Sequence, residues 1–122
     1  MMKNIAIGAV AIAVMLAPAA HADDKAWAMY SFQTKNYYYM DSCNRGGQSP
    51  MTGEYMKRLE DKINDYAAAN GFKDADINAM RRDAIARVNS AVSSGWLDGP
   101  RCAQIRGNII KRLNQVDFWS WN

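Results

Sequence analysis

The sequence predicts an all-α protein, a small three- to four-helix bundle with one disulfide. Three observations lead there. Apolar residues recur at helical spacing in three stretches after residue 50. Gly, Asn and Pro punctuate the gaps between those stretches. The only two cysteines, Cys43 and Cys102, lie far apart in a chain of 122 residues. No internal repeat or low-complexity stretch interrupts the layout.

The first segment, Ala26 to Met40, is rich in aromatics. Its apolar positions 26, 27, 30, 37 and 38 fit a helical stripe loosely, although Tyr30-Ser31-Phe32 and the Tyr37-Tyr38-Tyr39 run also suit a strand. A helix is the favoured reading. Asp41 to Pro50 reads as a loop, with Gly46-Gly47 and Ser49-Pro50 as its markers. In the second helix Ser49 is expected to cap and Pro50 to take the first position. Met51, Tyr55, Leu59, Ile63 and Tyr66 form its stripe, and Asn70-Gly71 ends it with Phe72 folding back. The third opens at Asp74, carries Ile77, Met80, Ala84, Ile85, Val88 and Val92, and stops at Gly95. The fourth opens at Asp98-Gly99-Pro100 and places Cys102, Ile105, Ile109, Leu113 and Val116 on one side.

The N-terminus has a different character. Lys3 precedes an apolar run from Ile5 to Leu16, and Ala17-Pro18-Ala19-Ala20-His21-Ala22 follows. A positive start, a short apolar run and an Ala-x-Ala site are the parts of a secretory signal peptide. Residues 1–22 are therefore expected to be removed after Ala22, leaving one helical domain over residues 23–122. A spanning helix needs roughly 20 apolar residues, and Pro18 with His21 cuts this run short. Nothing after Ala22 is apolar for long enough to span a bilayer. The expected destination is the periplasm or the outside of the cell, where a lone cysteine pair is most simply a disulfide. Closing a loop of that length contributes about 4 kcal/mol in the chain-entropy model.

Composition narrows the chemistry. The net charge is +3, and Lys3 leaves with the signal, so the exported chain gives little reason to expect a nucleic-acid partner. The sole histidine, His21, leaves too. The usual general base, the commonest zinc ligand and the proximal haem ligand go with it, and a disulfide removes thiol catalysis. No enzyme, cofactor or metal is expected.

Local constellations mostly read as ordinary structure. Asp74-Ala75-Asp76-Ile77-Asn78 resembles the opening of an EF-hand loop, but Ala79 stands where Gly is needed and Ile85 where Glu is needed; a helix N-terminus accounts for it. Glu54, Glu60 and Asp61 fall on the polar side of the second helix, away from any apolar pocket that would suit carboxylate catalysis. Arg81 and Arg106 fall within apolar stripes, where a guanidinium needs an acid or a bound anion. They are candidate anion ligands, with Asp41, Asp117 or Glu60 as internal alternatives. The polar face of the last helix carries Arg101, Gln104, Asn108, Lys111, Arg112 and Gln115, with no acid until Asp117. Such a face suits an acidic partner or an anionic lipid surface as well as plain solvent.

Aromatics supply the interface candidates. Phe118, Trp119 and Trp121 close the chain and must either dock on the bundle or bind a partner, and Tyr37, Tyr38 and Tyr39 could extend the same surface. In size, export and single disulfide the layout is similar to small periplasmic helical proteins such as acid-stress chaperones and the immunity proteins that neutralise secreted toxins. That likeness rests on no motif. The expected function is a binding protein of inhibitor or immunity type whose partner is another protein. The alternatives are an acid-activated chaperone and a small anion-binding module or minor enzyme built on Arg81 and Arg106.

Overall fold

The computed structural model describes residues 24–119; the signal-peptide reading and the interface candidate Trp121 lie outside them. Four α-helices account for most of that span: α1 (Asp24–Arg45), α2 (Gly53–Asn70), α3 (Asp74–Ser93) and α4 (Gly99–Leu113). The Cys43–Cys102 disulfide is formed, with the two Cα atoms 5.9 Å apart. The all-α bundle with one disulfide is therefore as the sequence predicts.

α1 settles the helix-or-strand alternative at its N-terminal end. Its 22 residues contain neither Gly nor Pro, and Asp24 and Arg45 sit at the ends that the helix dipole favours for their charges. The helix also runs further than expected, through Asp41–Arg45, so Cys43 lies in its last turn and not in a loop. The Asp41–Arg45 ion pair, 2.7 Å long and one turn apart, supports that extension. The stop comes at Gly47. It adopts φ +69°, Gln48 N–H donates to Cys43 C=O and Gly47 N–H to Asn44 C=O, the paired bonds of a Schellman motif.

The entry to α2 differs from expectation. Ser49 does not cap, because it adopts φ +46°, outside the extended region a capping residue needs. Pro50 precedes the helix. The Asn44 side chain captures Met51 N–H at 2.7 Å and turns that side chain into the core. Thr52 is the cap, its hydroxyl accepting from Tyr55 N–H. At the far end Gly71 (φ +65°) and Phe72 close a second Schellman motif, as the sequence implies.

α3 begins after Lys73, with Asp74 and Asp76 in its first turn, and no side chain caps it. Ala84 and Val88 are buried, yet Ile85 and Val92 of the expected stripe are about half exposed. The reason is architectural: α3 packs closely on α1 alone, so one narrow stripe suffices. α4 opens as expected, with the Asp98 carboxylate accepting from Arg101 N–H at 2.9 Å. It ends at Leu113, one turn before the expected Val116, which is fully exposed. Arg58 on α2 donates to Leu113 C=O at 2.7 Å and so satisfies an end carbonyl of α4.

α1 is the hub. It touches all three other helices, and α2 also touches α4. Leu59 and Ile63 of α2 join Tyr30, Met40, Ile109 and Leu113 in the core. Phe118, 2% exposed, returns from beyond α4 into the same cluster.

Candidate functional site

α4 runs antiparallel to α1. Cys43 meets Cys102; seven residues back along α1 and seven onward along α4, Asn36 and Ile109 line one groove. This groove has a volume of about 550 Å³, within the range of about 300–1,000 Å³ usual for ligand pockets. α1 contributes the stretch from Phe32 to Tyr39, α4 that from Ile105 to Arg112, and Trp96 of the α3–α4 connection joins the lining.

The floor is polar. Gln33 is fully buried, and its Oε1 accepts from Asn36 Nδ2 at 3.3 Å. Gln33 Nε2 has no hydrogen-bond partner. A buried amide donor without a partner costs about 1–3 kcal/mol, so this floor is not built for stability alone. The walls carry Lys35, Lys111 and Arg112 but no acid. Arg112 also donates to Phe118 C=O at 3.2 Å, which holds the tail against α4. Trp96 is 41% exposed, lies 5.6 Å from the Tyr39 ring, and carries the Arg101 guanidinium 4.3 Å above its own ring.

The sequence candidates scatter around this groove. Tyr37, Tyr38 and Tyr39 point in three directions, as consecutive residues must at about 100° per residue. Tyr39 lines the groove. Tyr37 packs against the core, and Tyr38 meets its ring edge at 5.6 Å. Burial pushes the Tyr37 hydroxyl above its ordinary value, helped by the charges of Glu60 and Asp41. The three therefore do not form one surface.

Phe118 and Trp119 are docked on the bundle. Phe118 belongs to the core, which removes it as a surface anchor, and Trp119 stacks on Tyr66 with ring centres 3.7 Å apart. Phe72 completes an aromatic seal with Trp27 and Tyr30 at 5.0 and 5.1 Å.

Arg81 and Arg106 serve different places. Arg106 Nε donates to Pro50 C=O at 3.2 Å, next to the α1–α2 loop. Arg81 lies between α2 and α3 beside Tyr30, lining a smaller hollow that Asp74 shares. Neither pairs with Asp41, Asp117 or Glu60. The Tyr30 hydroxyl is buried without a well-aligned partner; burial raises its pKa, and the nearby Arg81 charge only partly offsets that. Glu54, Glu60 and Asp61 are exposed as expected, and Lys57 holds Asp61 at 2.6 Å. No group of acids or cysteines among the described residues is arranged to hold a metal ion, the EF-hand-like segment included.

Sequence reasoning found one wall of the groove, in Asn108, Lys111, Arg112 and Gln115. It missed Gln33, Lys35, Asn36 and Trp96. The missed signal was the spacing Met29, Gln33, Asn36, Met40 and Cys43, a helical stripe with two amides at its centre. Comparisons with protein families, with curated proteins and with solved structures return no match to this chain.

Proposed function

We propose that this chain is an exported, non-catalytic binding protein of inhibitor or immunity type, acting on another protein through the α1–α4 groove and the Trp96 ridge beside it. One observation carries the reading: a concave site with three cations, no acid and an unsatisfied amide floor, next to a half-exposed tryptophan. Exposed Trp and Arg are the side chains that dominate interface energetics, and here they stack on each other. The groups lining the groove are amides, ammonium and guanidinium groups and rings, which bind and orient. No helix of the described residues is long and apolar enough to cross a membrane.

The acid-chaperone alternative draws no support from the carboxylates. None is buried among the described residues, so protonation has no interior acid to act on. An anion module built on Arg81 with Arg106 draws no support from their separate placements beside Tyr30 and Pro50.

The test is recovery of a stoichiometric complex from the periplasm at neutral pH, with wild type and a Lys35→Glu, Lys111→Glu double variant. Loss of the partner in the double variant, at unchanged melting temperature, is the expected result. A double variant that keeps the partner at full strength would reject the groove as the interface.

A further inference from the structure

Building on that binding reading, we infer that the groove receives an extended, acidic segment of the partner. Its carboxylates sit over Lys35 and Lys111, and its main chain lies against Asn36, Asn108 and Gln115. The charge pattern is the first reason. Three exposed cations on the other helices have an acid one helical turn away: Arg45 with Asp41, Lys57 with Asp61 and Arg87 with Asp83, all within 2.9 Å. α4 has no Asp or Glu from Gly99 to Leu113, and neither Lys35 nor Lys111 has an ion pair or hydrogen bond among the described residues. Uncompensated charge in a cleft with low-dielectric walls concentrates its field there.

The floor supplies the second reason. Asn36 spends one amide proton on Gln33, which leaves its carbonyl oxygen and second proton for a ligand. A peptide unit presents the matching pair, one N–H and one C=O per residue. Asn108 and Gln115 add two more amides along the opposite wall.

Length is the third reason. Phe32 to Tyr39 and Ile105 to Arg112 each span about 10 Å of helix. That is the reach of about three extended residues. A single small anion would leave most of the groove unfilled.

The experiment is calorimetric titration of the oxidised protein with blocked hexapeptides of alternating Glu and Gly, or of alternating Gln and Gly. Free glutamate and phosphatidylglycerol vesicles serve as the other probes. The Glu peptide is expected to bind at least about tenfold more tightly than the Gln peptide, and to weaken as salt is added. Lys35→Gln and Lys111→Gln should each weaken it roughly three- to fivefold, while Arg45→Gln, on a paired cation, leaves it unchanged. Equal binding of the two peptides overturns the inference. So does free glutamate binding as tightly as the peptide, or uptake by vesicles that depends on Lys35 and Lys111. If no peptide binds while the Lys35→Glu, Lys111→Glu protein still loses its partner, the acidic-segment inference falls and the interface stands. If the partner is retained as well, both fall.

Discussion

On one side of the α1–α4 pair, α2 packs against both helices, and the seam is filled by Leu59, Ile63 and the returning Phe118. On the other side α3 reaches only α1, and the seam stays open over Gln33 and Asn36. The two seams share α1 and α4, so the difference comes from what the third helix does. A closed seam holds apolar side chains and yields stability. An open one holds amides and cations, which contribute little to the fold and give a partner something to recognise.

The largest effect should fall on the closed seam. Phe118→Ala empties a fully packed position and is expected to lower unfolding free energy by about 4 kcal/mol in a denaturant titration. A loss below about 1 kcal/mol would mean the tail is not docked in solution. Next comes the staple at the end of both seams. Cys43→Ser with Cys102→Ser should cost up to about 4 kcal/mol, seen as a lower melting temperature under oxidising conditions. Equal stability of the two proteins would show that packing alone holds α1 to α4.

Alkaline pH gives a smaller effect with a definite sign. Tyr30 and Tyr37 are held above the ordinary tyrosine value of about 10, chiefly by burial. Their contribution is complete below that value, where folded and unfolded phenols are both neutral. Above it the unfolded chain ionises first, so stability falls as pH rises toward the raised folded values. Tyr30→Phe should flatten that fall, and an unchanged alkaline slope would place the sensitivity elsewhere. The smallest change in stability belongs to the open seam. Gln33→Leu removes an unsatisfied donor and should shift stability by no more than about 1 kcal/mol, toward either neutrality or gain. A large loss would make the amide floor a structural element after all.

Much of the bundle was legible because its signals are local. The α2 stop at Asn70-Gly71 and the α4 start at Asp98 each depend on a cap that a few adjacent residues define. The α2 start was misread because its decisive contact, Asn44 to Met51 N–H, bridges a loop whose shape the sequence does not display. Val116 was misplaced because Arg58, distant in sequence, satisfies the carbonyl at the end of α4. The groove was half legible. The acid-free face of α4 can be read directly, whereas Gln33 and Asn36 look like solvent-facing residues until α1 proves to be surrounded on three sides.

The disulfide leaves only 3% of Cys43 and 1% of Cys102 exposed. Thiol–disulfide exchange needs a thiolate to reach a sulfur atom directly. A reductant must therefore wait for the α1–α4 end of the bundle to open, whatever the reductant's own potential. The rate at which this bond is lost in excess reducing agent becomes a clock for that opening. Once oxidised, the protein keeps its crosslink in any surroundings that leave its core intact.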